Sequence, residues 1–249
     1  MGGNERLLLI DTCGETSGLA LCEGDRVLLS SDLGERRASA EILSSLRYLL
    51  QQSGWRVQDL SAVGVVRGPG SFTGVRAGLG FAKGLCESVG LRLAAVSRLE
   101  VLSDTATLCA RSALATAETQ TSPVLVALDA GRNQVYARDV ATGREWLTTV
   151  EQMQSESIGR QPVAVAEQRL AEHLQGCRVV LCPLHARDAL RAVLRRLQQC
   201  GSDAEGDANY VRQEEDIYGM PAVASGTTPA KAPYPEPELP CRIRPVEPS

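Results

Sequence analysis

A glycine-rich segment constrains this chain of 249 residues more than any other feature. Six glycines lie between Arg67 and Gly84, directly after the apolar stretch Leu60 to Val66, which predicts a buried strand. The sequence Gly68-Pro69-Gly70 predicts a tight turn into a helix that runs to about Val89. Each glycine inside a helix costs roughly 0.5–1 kcal/mol relative to alanine. Several of them together therefore predict that another backbone or helix approaches this helix closely.

The glycine spacing does not fit the common phosphate-binding loops. A Walker A loop requires GxxxxGK[ST], but Thr73 stands where the second glycine belongs and Lys83 comes too late. The dinucleotide fingerprint GxGxxG also fails, because three residues separate Gly70 from Gly74. Gly74 and Gly78 are four residues apart and share one helix face, so we expect them to serve packing.

The first part of the chain alternates between strand and helix patterns. Three short apolar stretches predict an antiparallel meander, and the next segment repeats apolar residues at helical spacing. Further strand and helix patterns follow, which predicts an α/β fold with a mixed sheet. The predicted strands are Arg6–Thr12, Ser17–Cys22, Arg26–Asp32, Leu60–Val66 and Leu91–Val96, and the predicted helices start at Ala38, at Thr73 and after Ser97.

The opening pattern recurs later in the chain. The apolar strand that ends in Asp129 resembles the strand that ends in Asp11, and each is followed by a turn and a second strand. We therefore predict a first lobe over residues 1–115 and a smaller second lobe over 116–219, which would include a helix from Leu184 to Cys200. Residues 220–249 are proline-rich without apolar periodicity, so we predict a disordered tail.

Composition narrows the class of protein. The net charge of −4 and the pI of about 5.4 argue against a surface that binds nucleic acid everywhere. No segment fits a signal peptide or a membrane span, and the eight scattered cysteines include no CxxC pair, so we predict a cytoplasmic protein with reduced thiols. Ser71 lacks the GxSxG frame of a hydrolase nucleophile.

Two clusters of polar residues allow more than one interpretation. His173, Cys177, Cys182 and His185 are close in sequence, but the predicted strand between them would separate their side chains, so we favour no zinc site and predict no metal site in this chain. The stripe Arg187, Arg191 and Arg195 on the last helix is usually a solvated face. The alternative is contact with the phosphates of a nucleic acid.

The run Arg67-Gly68-Pro69-Gly70-Ser71-Phe72-Thr73-Gly74-Val75-Arg76 resembles the signature of the TsaB family. Three further stretches are similar to that family, namely the opening strand at Leu9–Thr12, the second-lobe start at Leu128–Arg132 and the motif Asn209–Arg212. The resemblance covers about residues 6 to 215. It implies an actin-like (ASKHA, ribonuclease H-like) fold of two lobes with mixed sheets.

The resemblance also implies a function. TsaB proteins form a heterodimer with the catalytic paralogue TsaD and support synthesis of N6-threonylcarbamoyladenosine next to the tRNA anticodon. A TsaE-like ATPase completes that complex. The family uses two helices of its first lobe as the partner interface, which correspond to Ala38–Gln52 and Thr73–Val89. We thus expect this chain to bind a TsaD-like subunit, to meet tRNA through the complex, and to have no catalytic residue or cofactor of its own, with ATP and a metal on the partner subunits.

Particular residues are candidates for these roles. The histidine-containing metal motif of the catalytic paralogue has no counterpart, because no histidine occurs from Glu35 to Glu41. We expect Gly78→Leu or Leu46→Asp to block heterodimer formation without unfolding the monomer. The predicted partner-binding residues are Ile42, Leu46, Leu49, Phe72, Gly74, Gly78, Phe81 and Lys83, and the predicted turn residues are Gly68, Pro69, Gly70, Ser71, Thr73 and Arg76.

Two alternatives remain open from the sequence. In actin-like ATPases, acids at the ends of the equivalent strands position Mg²⁺ and phosphate, so Asp11 and Asp129 are candidate nucleotide-binding residues of a free-standing ATPase or small-molecule kinase. The simpler interpretation is that each Asp accepts backbone N–H bonds in its own turn. A homodimer through the same helices, formed when the partner is missing, is the other alternative.

Overall fold

The computed structural model describes residues 5–33, 38–113, 125–157 and 162–200, and these residues form two five-stranded sheets with helices packed on them. The strands are β1 (Arg6–Asp11), β2 (Gly18–Glu23), β3 (Arg26–Asp32), β4 (Ala62–Val66), β5 (Arg92–Val96), β6 (Leu125–Gly131), β7 (Gln134–Asp139), β8 (Glu145–Thr149), β9 (Val163–Val165) and β10 (Val179–Leu181). The α-helices are α1 (Ala38–Ser53), α2 (Phe72–Val89), α3 (Arg98–Ala113), α4 (Val150–Ser157), α5 (Gln168–His173) and α6 (Leu190–Cys200).

The first sheet has the strand order β3-β2-β1-β4-β5. Its central strand β1 pairs antiparallel with β2 and parallel with β4. Leu7 to Ile10 of β1 are fully buried because helices cover both faces of the sheet. On one face Ile10 lies beside Gly78 of α2, and on the other face Leu9 and Val193 of α6 both lie close to Gly64 of β4.

The second sheet repeats this arrangement with the order β8-β7-β6-β9-β10. Its central strand β6 pairs antiparallel with β7 and parallel with β9, as β1 does with its own neighbours. Asp11 and Asp129 therefore lie in equivalent central strands. The duplicated order confirms the predicted actin-like, ribonuclease H-like fold with two mixed sheets.

Helix α3 packs between the two sheets, since it contacts β6, β7 and β9 on one side and α6 on the other. One placement differs from the sequence-based expectation. Helix α6 was expected in the second lobe, but it packs on β4 and β5 of the first sheet. The missing side chain at Gly64 makes this packing possible, because a Cβ there would overlap the Val193 methyl groups.

The lobe boundaries predicted near residues 115 and 219, the proline-rich tail 220–249 and the motif Asn209–Arg212 all lie outside the described residues, so they stay predictions. The sequence analysis did not identify β8, α4 or β9, whose short length leaves little periodicity to detect. No described helix combines the length and the apolar character that a membrane crossing needs.

Candidate functional site

The inner face of α2 packs against the turn between β1 and β2. The Thr12 hydroxyl donates a hydrogen bond to the Gly74 carbonyl, with 2.6 Å between the oxygens. A Cβ atom at Gly74 would overlap the Thr12 carbonyl oxygen, and one at Gly78 would overlap the Thr12 hydroxyl. The predicted close backbone approach is therefore real, and its partner is the chain's own β1–β2 turn.

The glycine-rich turn before α2 is held against the same β1–β2 turn. Gly68 has a φ of 95°, which favours glycine, and the Gly68–Pro69 peptide bond is cis. The Ser71 backbone N–H donates to the Cys13 carbonyl at 2.8 Å, and the Ser71 hydroxyl caps α2 by accepting from the Gly74 N–H at 3.3 Å. A Cβ at Gly70 would overlap the Cys13 carbonyl oxygen. The predicted turn residues thus meet at one place.

The outer face of α2 has a different character. A Cβ at Gly80 or Gly84 would meet no other described atom within 4 Å. Phe72 at the start of the helix is 56% exposed, and the Arg76 guanidinium lies over its ring at 3.7 Å from the centroid. The neighbouring helix α1 adds two exposed side chains, Tyr48 at 58% and Leu43 at 49%.

Five of the eight predicted partner-binding residues face the interior, which corrects their assignment as contact residues. Ile42, Leu46 and Leu49 are at most 2% exposed because this stripe of α1 packs on β2 and β3. Gly74 and Gly78 of α2 pack against Thr12 in the β1–β2 turn. Gly78→Leu or Leu46→Asp would therefore disturb the monomer itself, so the structure argues against the expectation that such variants stay folded.

The other three predicted residues lie nearer the surface. Phe72 is exposed, whereas Phe81 and Lys83 are partly buried, and Phe81 packs against the core. The prediction that α1 and α2 bind a partner stays a prediction. The structure changes the residues that could do so to those on the outer face, namely Leu43, Tyr48, Phe72, Arg76, Gly80 and Gly84, which we call the docking face.

A cleft of about 620 Å³ opens beside the β1–β2 turn. The first turn of α2 forms one wall of the cleft, with Ser71 and Thr73, and Asp129 and Glu167 of the second half form the other. Arg98, the first residue of α3, lines the cleft between them. This is the place that the equivalent ends of β1 and β6 share, and so it is where the sequence-based nucleotide hypothesis has to be judged.

Arg98 crosses the cleft and forms an ion pair with Glu167. The Nη1–Oε1 distance is 2.9 Å, and the two side chains are only 6% and 11% exposed. The other oxygen of Glu167 accepts the Asp129 backbone N–H at 3.3 Å. The Arg98 guanidinium also lies directly on Gly14, where any Cβ would overlap it. The missing side chain at Gly14 therefore makes room for the guanidinium group of Arg98.

Each predicted nucleotide-binding aspartate closes a turn. An Asp11 carboxylate oxygen accepts the Cys13 N–H at 2.8 Å, and an Asp129 carboxylate oxygen accepts the Gly131 N–H at 2.7 Å. Asp11 is buried, and burial raises its pKa, although the nearby Arg98 and the Cys13 N–H lower it. Burial likewise raises the pKa of Glu167 against the lowering effect of Arg98. Arg98 therefore favours the charged form of both carboxyl groups against the effect of burial.

The charges along the cleft oppose a polyphosphate. Glu15, Asp129 and Glu167 contribute three carboxyl groups to its lining, while Arg98 already has Glu167 as its partner. Coulomb repulsion would therefore disfavour a second cluster of negative charge. Sequence reasoning did not connect Arg98 with Glu167, because 69 positions separate them and no recognisable motif links them.

Other candidates from the sequence are dispersed. Cys182 belongs to the core around the first sheet and Cys177 packs against that of the second, so the expectation that they are separate is confirmed. Among the described residues, no three His, Cys, Asp or Glu side chains are grouped to hold a metal ion. In the arginine stripe, Arg195 forms ion pairs with Glu100 and Asp104 at 2.8 Å, which leaves Arg187 and Arg191 exposed.

Comparison with known proteins places the chain. A family model described as TsaD: tRNA N6-adenosine threonylcarbamoyltransferase matches residues 32–175, more than half of the chain. The Escherichia coli (strain K12) protein named tRNA threonylcarbamoyladenosine biosynthesis protein TsaB is 35% identical over 131 residues, which is 53% of each chain. The Bacillus subtilis (strain 168) protein of the same name is 38% identical over 98 residues, 39% of this chain and 43% of the relative. The matched region thus spans about half the length of these curated relatives.

Solved structures agree with the fold. The crystal structure of a Pseudomonas aeruginosa protein, described as uncharacterised with similarity to the peptidase YeaZ, has a TM-score of 0.62 at 24% identity and covers 84% of this chain and 100% of its own. YeaZ from Pseudomonas aeruginosa has a TM-score of 0.58 at 25% identity, covering 81% and 96%. The chain therefore belongs to the TsaB family, within the broader family that the TsaD tRNA N6-adenosine threonylcarbamoyltransferase model describes.

Proposed function

We propose that this chain is a non-catalytic subunit of the complex that makes N6-threonylcarbamoyladenosine in tRNA, and that it binds and supports a TsaD-like catalytic subunit. The name of its relatives, tRNA threonylcarbamoyladenosine biosynthesis protein TsaB, supports the process. The observation that carries the binding role is the docking face, where apolar side chains stand in solvent beside two glycines with open space above them.

The chemistry of the docking face suits a helix as its partner. Exposed aromatic residues are the usual anchors of protein interfaces, and Phe72 and Tyr48 are both more than half exposed. Gly80 and Gly84 lie one helical turn apart, so a partner helix can approach the α2 backbone there. Such an approach would offset the conformational cost of glycine inside a helix.

The interior of the chain supports a non-catalytic role. The cleft at the ends of β1 and β6 contains the buried Arg98–Glu167 pair, and the carboxyl groups of Glu15 and Asp129 oppose phosphate binding. The Ser71 hydroxyl caps α2 by accepting the Gly74 N–H, which argues against a role as a hydrolase nucleophile. Under this proposal the chain needs no cofactor of its own, and ATP and a metal belong to the TsaD-like subunit and a TsaE-like ATPase in the cytoplasm.

Co-purification with a TsaD-like subunit tests the binding role. Phe72→Asp replaces an exposed aromatic anchor of the docking face with a carboxylate and should remove the partner from the eluate, because burying a charge in an apolar interface is costly. Leu181→Asp is the matched control. Leu181 is also an exposed apolar residue (41%), but it lies on β10 of the second sheet. This variant should leave co-purification unchanged.

Two results would reject this proposal. Equal recovery of the partner with Phe72→Asp and with the control would mean that the docking face does not bind it. Turnover of Mg-ATP by the purified chain alone, lost in Asp11→Asn, would instead support the free-standing ATPase. Sizing of the chain without its partner tests the homodimer, which the same Phe72→Asp variant should convert to a monomer.

A further inference from the structure

We propose that the Arg98–Glu167 ion pair is a built-in brace that holds the two halves of the cleft together, in the position where a bound ligand would otherwise bridge them. This inference concerns the interior of the chain and is independent of the docking face. It rests on contacts that Arg98 makes on both sides of the cleft.

The pair joins elements that belong to different sheets. Arg98 begins α3 directly after β5 of the first sheet, and its backbone N–H donates to the Gly68 carbonyl at 2.7 Å. Glu167 lies between β9 and α5 of the second half, and it also holds the Asp129 backbone at the end of β6. One buried ion pair thus connects the turn before α2 with the central strand of the second sheet.

The brace also fixes the β1–β2 turn. The guanidinium lies against Gly14 on one side of this turn, while Gly70, Gly74 and the Ser71 N–H hold its other side. The turn is therefore clamped between Arg98 and α2. If Arg98 loses its partner, the Gly14 side of the clamp becomes free to move.

A neighbouring hydrogen bond points to the same role for the start of α3. The Ser97 hydroxyl donates to Glu145 of β8 at 2.6 Å, and Glu145 in turn pairs with Arg138 of β7 at 2.9 Å. Two consecutive residues, Ser97 and Arg98, therefore bind acids of the second half. Arg98 does so across the cleft, whereas Ser97 and Glu145 meet outside the cleft lining.

Hydrogen–deuterium exchange of the full chain tests the brace. The variant Glu167→Gln keeps the shape of the side chain but removes its charge, and Arg98→Met removes the cation and keeps the stem. Glu100→Gln is the matched control, because it also breaks an ion pair of α3, that of Glu100 with Arg195 of α6 at 2.8 Å, but neither of these residues lines the cleft.

Exchange should rise across the cleft from the substitution. In Glu167→Gln, a second-half variant, the amides of residues 12–17 in the first half should exchange at least about tenfold faster. In Arg98→Met, residues 129–131 of the second half should respond as well. The control should leave both segments unchanged. If only the half that carries the substitution responds, the pair is a local contact and the brace is rejected.

A double variant separates bracing from simple charge neutralisation. Arg98→Met/Glu167→Met removes both charges, so it avoids the unpaired buried charge that destabilises each single variant. We expect it to melt at a higher temperature than Arg98→Met while residues 12–17 still exchange faster than in the wild type. Exchange at the wild-type rate in this double variant would overturn the proposal, even if Arg98→Met alone does not fold.

Discussion

Two pairs of glycines in helix α2 have the same spacing and opposite surroundings. Gly74 and Gly78 are four residues apart, as are Gly80 and Gly84. The first pair touches the β1–β2 turn so closely that no side chain fits, whereas the second pair faces open space. One helix therefore carries two glycine pairs, and the fold itself brings only one of them into close approach.

The conformational cost of glycine is offset differently at the two pairs. The conformational cost of Gly74 and Gly78 is offset within the monomer by the Thr12 hydrogen bond and by packing on Ile10. Nothing in the described part of the chain offsets the cost of Gly80 and Gly84. Under the proposed function, binding of the partner offsets it. Substitutions at the two pairs should therefore separate folding from binding.

The largest effect is expected at the inner pair. Gly78→Leu forces a side chain into the Thr12 hydroxyl and should lower the free energy of unfolding by about 3 kcal/mol or more. Urea denaturation of the purified chain measures it. Gly80→Leu, two residues away on the same helix, should unfold at or above the wild-type urea concentration. Equal losses in the two variants would contradict the division of the helix into two faces.

The next effect concerns binding. Gly80→Leu should weaken the affinity for a TsaD-like subunit by about 2 kcal/mol, because the added side chain keeps a partner helix away from the α2 backbone. Calorimetric titration of the partner into each variant gives the number. Leu181→Asp on the second sheet again provides the control. An unchanged affinity of Gly80→Leu would place the partner elsewhere.

A smaller effect tests the hydrogen bond at the inner face. Thr12→Val retains the volume of the side chain but removes its donation to the Gly74 carbonyl, which should cost about 1 kcal/mol of stability. Thermal unfolding of the monomer is sufficient to detect it. Thr107→Val is the control, because it removes a similar hydrogen bond from a hydroxyl to the Ser103 carbonyl within α3. The two variants compare the tertiary bond of Thr12 with the local bond of Thr107. The Thr12 variant should show the larger loss.

The smallest effect has the opposite sign. Gly84→Ala should stabilise the isolated chain by about 0.5–1 kcal/mol, since alanine restricts the unfolded chain and no contact opposes the added methyl group. A higher melting temperature of the monomer is the expected readout. A lower one would show that this glycine already has a role inside the monomer, and the contrast between the two pairs would fail.

Much of the fold could be predicted from local pattern. The apolar stretches of β1, β2, β4 and β5 and the helical periodicity of α1 are properties of neighbouring residues, so their positions agreed with the structure to within one or two residues. The glycines of α2 predicted the close approach of another part of the backbone for the same reason. The short strands β8 and β9 carry too few residues for a pattern, and they were found only in the structure.

The candidate site was less predictable. Ile42, Leu46 and Leu49 form an apolar stripe, and a stripe looks the same in sequence whether it covers the chain's own sheet or a partner. Phe72 was identified as a surface anchor, but Tyr48 and Leu43 were not, because an exposed aromatic or apolar residue has no signature until the covered face of its helix is known.

The sequence by itself determined that the glycines of helix α2 need a closely packed neighbour to offset their conformational cost, and that the ends of β1 and β6 are equivalent. Only the tertiary structure decided which glycines meet the β1–β2 turn, that α6 returns to the first sheet, and that Arg98 meets Glu167 across 69 positions. Helical spacing is a local property that neighbouring residues carry, whereas the direction of a face and a buried ion pair depend on segments that folding alone brings together.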